Sequence, residues 1–227
     1  MKTNFIERHL AGVKADTPSK ILLAALAEFG NAPAKNVGTR DIARRAGVNI
    51  SAISYYFNGK DELYSELINH IIAFMEKVSE EFRGRFAELK ANPSAAAARA
   101  LLRDYVSWRI MCMENKNSVF KSMISIVLRE EFNNTRHFKK IYERVFSKTD
   151  AMLQESITMA MGGKVAPERA KIISVALTGA IMRFNAVPDS VLKTLGWESL
   201  EARRLSKISG CVLDMLDGIL DSERAIS

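Results

Sequence analysis

The sequence predicts an all-α protein. Apolar residues recur at intervals of three and four rather than two, and no alternating Val/Ile/Thr run bounded by turns occurs. Caps and breakers also divide the chain into helix-length pieces. Thr17-Pro18 provides a cap and a first-turn proline for a helix whose apolar face is Ile21, Leu22, Ala25, Leu26 and Phe29, ending at Gly30-Asn31. Thr39 can cap a short helix through Ala46, Gly47 can take the left-handed turn, and Asn49 can cap a third helix over Ile50–Phe57. Asp61 and Glu62 place negative charge on the first turn of a long helix that buries Leu63, Leu67, Ile71, Phe74, Val78, Phe82, Phe86 and Leu89.

Asn92-Pro93-Ser94 ends that helix, and the next runs from Ala95 to about Glu114. Asn115–Ser118 precedes a helix over Val119–Glu131, and Gly162-Gly163 stops another over residues 137–161. Pro167 opens a helix ending near Ala186, a short one covers Ser190–Leu195, and the last spans about Glu198–Leu220.

With 227 residues, 48% hydrophobic and 26% charged, and only 12 Gly and 5 Pro, the chain is neither disordered nor collagen-like. Its longest apolar uncharged stretch, Ile172–Met182, falls well short of the roughly 20 residues that span a bilayer. Charges at Lys2, Glu7, Arg8, Lys14 and Asp16 leave no room for a secretory signal, so a cytoplasmic location and no membrane partner are expected. Two cysteines, Cys112 and Cys211, are too few for a disulfide framework or a zinc site.

The net charge of +7 is uneven. Residues 1–60 hold nine basic and four acidic side chains, a net of +5, which leaves +2 for the other 167 residues. A basic segment on a nearly neutral body is the footprint of a nucleic-acid-binding head, although a solvated lysine-rich surface would give the same count.

Within that segment, Thr39–Phe57 meets the steric demands of a helix-turn-helix. Ala43 allows close approach, Gly47 supplies positive φ, and Ile53 plugs the second helix, while Ile42, Ala46, Val48 and Phe57 fill the other inward positions. An ordinary helical hairpin is the alternative. The run Thr39-Arg40-Asp41-Ile42-Ala43-Arg44-Arg45-Ala46-Gly47-Val48, with Ile53-Ser54-Tyr55-Tyr56-Phe57-Asn58-Gly59-Lys60-Asp61-Glu62-Leu63, closely resembles the DNA-binding domain of TetR-family transcriptional regulators. The resemblance is specific over residues 17–67 and weaker beyond. Residues Asn49–Phe57, Val127-Leu128-Arg129-Glu130 and Lys193-Thr194-Leu195-Gly196-Trp197 look like the branch with a CerR-like C-terminal domain.

The resemblance implies a helix-turn-helix head over residues 1–60, including an N-terminal arm, and an effector-binding and dimerisation domain over 61–227. It casts Thr39, Tyr56 and Lys60 as phosphate contacts, roles that a helix N-terminus, a phenol and an ammonium can fill. Asn49, Ile50, Ser51, Ser54 and Tyr55 lie on the outward face of the third helix, where base edges would be read in the major groove. The commonest family pattern has Lys at Ile50 and Tyr at Ser54, so two phosphate-type contacts are missing. Packing is the alternative role for Tyr55 and Tyr56.

Apart from the initiator, the methionines all lie from Met75 onwards. Trp108, Met111, Cys112, Phe120, Met123, Val127, Met152, Met159 and Phe184 could line a pocket for a small apolar effector, or simply fill a bundle core. Arg109 and Arg183 could anchor an anionic group there or make surface salt bridges.

No catalytic motif is present, His9, His70 and His137 are far apart, and no metal or cofactor is expected, so the chain is expected not to be an enzyme. The leading expectation is a regulator bound to a double-stranded DNA operator, most simply a repressor released by its effector. The rivals are an architectural DNA-binding protein without a small molecule and a helical adaptor. A homodimer is expected through two helices, on the stripes Ile172, Val175, Gly179 and Met182, with Ala176 and Ala180 allowing close approach, and Leu205, Ile208, Val212, Met215 and Ile219. The same stripes would also suit packing within one chain.

Overall fold

A computed structural model describes residues 16–114 and 118–222. The expected arm over residues 1–15 and positions 115–117 of the expected linker lie outside the described residues. Those described contain no strand. The helices are α1 (Thr17–Asn31), α2 (Thr39–Ala46), α3 (Ser51–Phe57), α4 (Lys60–Val78), α5 (Glu80–Ala91), α6 (Ala95–Met111), α7 (Ser118–Phe132), α8 (Arg136–Ile141), α9 (Ser147–Ala160), α10 (Pro167–Ala186), α11 (Pro188–Leu195) and α12 (Ala202–Leu220).

Local chemistry moves several boundaries from their expected places. Asp16, not Thr17, caps α1, its Oδ1 accepting from the Ser19 N–H at 2.9 Å. The Ser19 hydrogen bonds hold the Asp16 carboxyl below its usual range. Gly38 precedes α2, so Thr39 is its first residue rather than its cap. The expected long helix from Asp61 breaks at Ser79 (φ −91°, ψ −5°), after which Glu80 and Glu81 occupy a new first turn where the helix dipole favours negative charge. Between α8 and α9 the chain stays helical but widens to a π turn over Tyr142–Phe146.

Two compact units result, Met1–Val78 with Asn115–Val145, and Ser79–Glu114 with Phe146–Ser227. They do not coincide with a division at residue 60, because α4 and α7 pack with the head. In the first unit α1 lies along α7 and against α2, while α3 and α8 pack on α4. Ile21, Leu26 and Phe29 of α1, Ile42 of α2, Ile53 of α3, Leu63, Leu67 and Ile71 of α4, and Ile126 of α7 are buried. Gly30 permits the contact of α1 with α7, because a Cβ there would lie 2.7 Å from the Ser122 Cα and closer still to the Ser122 side chain.

In the second unit α6 packs against α5, α9 and α12, and α10 packs on α9. Its core includes Leu101, Leu102, Val106 and Ile110 of α6, Met152 and Ile157 of α9, Ile173, Leu177 and Ile181 of α10, and Leu205, Val212 and Leu216 of α12. Arg103 pairs with Asp217, and Arg99 with Asp221 at 2.6 Å, tying α6 to the end of α12. Among the described residues no single helix is long and apolar enough to cross a membrane.

Candidate nucleic-acid interface

The turn between α2 and α3 forms as its residue types require. Gly47 takes the left-handed conformation (φ 67°, ψ 35°), its N–H bonding back to the Ala43 and Arg44 carbonyls, and the Val48 N–H reaches Ala43 O at 3.1 Å. Ile42, Ala43 and Ile53 are buried, and Phe57 closes the far end of α3. Ala46 and Val48 are half-buried. Asn49 holds the start of α3, its Oδ1 accepting from the Ser51 N–H at 2.9 Å and the Ser51 hydroxyl at 2.8 Å.

With its inward positions so filled, α3 turns Asn49, Ile50, Ser51, Ser54, Tyr55 and Tyr56 outward; all are exposed. Tyr55 is 80% exposed and meets the Tyr56 ring edge-on at 4.8 Å, which removes inward packing as its role. An outward face with two phenols, an apolar side chain and small polar groups can enter a groove and stack or hydrogen-bond there.

The basic side chains of the first unit are unevenly paired. Arg44 pairs with Asp41 at 2.7 Å and Arg45 with Glu28 at 2.6 Å, whereas Lys20, Lys35 and Arg40 are exposed and make no ion pair among the described residues. Thr39 is half-buried at the start of α2. Lys60 has a structural task that its sequence position does not reveal. Its Nζ donates to the carbonyls of Ala34 at 3.0 Å and Val37 at 3.1 Å, pinning the short 3-10 turn Ala34–Asn36 that leads towards α2. One N–H of the ammonium remains for a phosphate.

The residues expected to line an effector pocket are divided between the two units. Met152 belongs to the core of the second unit, with Trp108, Met111, Met159 and Phe184 half-buried against it and Cys112 half-buried near the end of α6. Met123 and Val127 are buried in the first unit, where Phe120 is half-buried. Met123, Val127 and Met152 therefore serve as core, since the period that lines a cavity is also the period that fills a bundle. An open cleft of about 390 Å³ in the second unit shares only Met159 with the expected set, its other walls including Gln154, Thr158, Val165 and Pro167. Arg183 is exposed and Arg109 half-buried.

The proposed dimer stripes divide as well. On α10, Ile172 and Val175 are 62% and 68% exposed, and Ala176 and Gly179 are exposed beside half-buried Ala180 and Met182. On α12, Leu205, Ile208 and Val212 are buried in the chain's own core, which corrects their assignment to an interface. Met215 is 60% exposed and Ile219 half-buried. At about 100° per residue Met215 lies about 80° around the helix from Leu205, outside the face that α12 buries, whereas Ile219, about 40° from Leu205, packs back against the core.

A helix-turn-helix whose second helix presents an exposed face, carried by an all-helical body, defines the class of DNA-binding transcriptional regulators. Residues 21–67 match the model for bacterial regulatory proteins of the tetR family, and residues 98–222 match that for the C-terminal domain of the HTH-type transcriptional dual regulator CecR. The chain belongs to the TetR family of transcriptional regulators, and its C-terminal part, expected to be CerR-like, matches the CecR C-terminal domain. It is 29% identical over 222 residues to the dual regulator CecR of Shigella flexneri, covering 94% of this chain and 97% of that protein. The fold is similar to that of a TerR/AcrR-family transcriptional regulator from Aquifex aeolicus VF5 (TM-score 0.51, 18% identity, 90% of this chain and 99% of the other). It is also similar to that of a linker-substituted HlyIIR mutant protein (TM-score 0.55, 20% identity, 87% and 97%). The family and the relatives from Shigella flexneri and Aquifex aeolicus are described as regulators. Of the residues with evident structural work, Arg129 and Glu130 had no role assigned from the sequence; the available signal was two charges within the apolar pattern of α7.

Proposed function

We propose that the protein is a cytoplasmic homodimer that occupies a DNA operator and represses there until a small apolar effector releases it. The carrying observation is the exposed face of α3, where Tyr55 stands clear of the core while Ile53 and Phe57 hold the helix down. Asn49, Ile50, Ser51, Ser54 and Tyr55 read bases in this scheme, and Thr39, Tyr56 and the remaining N–H of Lys60 meet phosphates. Residues 1–60 act as the head and 61–227 as the effector and dimerisation part. The relative's description as a dual regulator supports activation at some promoters beside repression.

Tyr55→Ala is expected to cost on the order of 1–3 kcal/mol against a duplex selected by the wild-type chain, and much less against random duplex. Its thermal midpoint should hardly move, because the ring is exposed. Equal losses on both duplexes in a folded protein would remove base reading from Tyr55.

The effector part of the proposal draws support from the half-buried Trp108, Met111, Met159 and Phe184, adaptable apolar groups over the core of the second unit. A ligand stabilising this body should shift the population towards a head spacing that no longer fits successive major grooves, about 34 Å apart. Thermal-shift screening followed by operator titration tests it. Stabilising ligands that leave operator affinity unchanged would favour the architectural alternative.

A further inference from the structure

One turn of α7 holds both helices that carry the head. Arg129 aims its guanidinium at the C-terminus of α1, Nη1 donating to Phe29 O at 2.6 Å and Ala32 O at 2.9 Å, and Nη2 to Gly30 O at 3.2 Å. Ser125, one turn earlier, donates to Gly30 O at 2.9 Å and accepts from Arg129 Nη2 at 3.3 Å. Carbonyls in the last turn of a helix lack intrahelical partners and favour a cation. α1 has no basic residue in its own last turn, so α7 supplies that charge from 97 to 100 residues away in sequence.

Glu130 faces a different neighbour, being rotated about 100° from Arg129 around the helix. It is 6% exposed, and its Oε1 accepts from the Tyr64 hydroxyl of α4 at 2.6 Å while Oε2 accepts from the Thr135 hydroxyl. The Tyr64 ring meets Phe29 of α1 edge-on at 4.7 Å and His137 of α8 at 5.3 Å. Burial and the bond to Glu130 raise the Tyr64 phenol well above its ordinary range, so it stays a donor.

We propose that Arg129 and Glu130 are positioning residues for operator recognition, fixing α1 and α4 to one turn of α7 and thereby the angle at which α2 and α3 meet DNA. α2 and α3 both rest on α1, so a slackened α1 tilts the reading face. Selected duplex needs both heads of a dimer in phase with two half-sites, whereas random duplex is held by phosphate contacts that tolerate tilt. The proposal rests on the operator-binding reading above.

The test compares wild type, Arg129→Met, Arg129→Lys and Tyr64→Phe on a duplex enriched by the wild-type chain from a randomised pool and on random duplex. Measurements are made well below each variant's unfolding midpoint, with folded content checked by circular dichroism. Arg129→Met keeps the apolar stem and removes the donors. It should lower affinity for the selected duplex about tenfold and for random duplex less than about twofold, with the salt slope unchanged. Arg129→Lys should recover part of the loss, since an ammonium restores the charge without the planar fork. Tyr64→Phe, which removes a single hydroxyl, should give a smaller loss of the same kind and keeps the test readable if Arg129→Met fails to fold. Equal losses on both duplexes, or none in folded Arg129→Met and Tyr64→Phe, would overturn the proposal while the operator reading stands. A wild-type chain that enriches no duplex would sink that reading, and the proposal with it.

Discussion

Gly30→Val is expected to destabilise the first compact unit by about 3 kcal/mol or more, the upper end for overpacking a filled site. A Cβ at this position would meet Ser122, including its backbone Cα at 2.7 Å, so no side-chain rotation can relieve the clash. α1 and α7 must part, which also pulls the Phe29, Gly30 and Ala32 carbonyls away from Arg129 and Ser125. Denaturant unfolding measures the loss. Gly84→Ala is the control, because Gly84 lies inside α5 with nothing within 4 Å of a new Cβ. It should stabilise by roughly 0.5–1 kcal/mol, as alanine does in a helix interior. Wild-type stability in Gly30→Val would show that the two helices do not need their close approach.

The second large effect separates the two apolar stripes. Val175→Glu puts a charge on an exposed position of α10, so the subunit should fold as before; at a dimer interface the two copies would bury unpaired like charges at about 3–5 kcal/mol each. Light scattering at micromolar concentration should then report a monomer, and operator affinity should collapse because a single head spans one half-site. Leu205→Ala should do the reverse. This side chain is 0% exposed within the chain, so its truncation should cost about 2–5 kcal/mol of subunit stability without first changing the mass. A folded Val175→Glu protein that stays dimeric would move the interface away from α10.

The helix-turn-helix was legible because its constraints are local and residue-specific. Gly47 takes a left-handed conformation, and Ile42, Ala43 and Ile53 face inward, as their spacing predicts. The outward face of α3 follows from the same periodicity once those inward positions are filled. The bond of Asn49 to the start of α3 was readable for a similar reason, since it reaches only two residues along, although the helix begins one residue later than expected and Ile50 takes the cap position.

The roles of Lys60, Arg129 and Glu130 in holding other helices were not readable, because the partners that define those roles lie far away in sequence. Lys60 reaches carbonyls 23 and 26 residues back, and Glu130 a tyrosine 66 residues back. Glu130 did leave a trace, occupying the position seven after Met123 on the buried stripe that Ile126 and Val127 share. A carboxylate on such a stripe requires a buried donor, but the sequence does not say which.

The sequence by itself determined the all-α class, the helix-turn-helix and the outward face of α3, because backbone conformation and amphipathic period are encoded over a few residues. Only the tertiary structure decided which apolar stripe is core and which is surface. Ile172 with Val175, and Leu205 with Ile208, have the same spacing of three residues, yet the first pair is exposed and the second buried. Helical period states that a face is apolar, whereas its neighbour in space decides what covers it. The same holds for α7, whose sequence position places it with the body and whose packing against α1 places it with the head, since helices join by shape and by paired polar groups rather than by order along the chain.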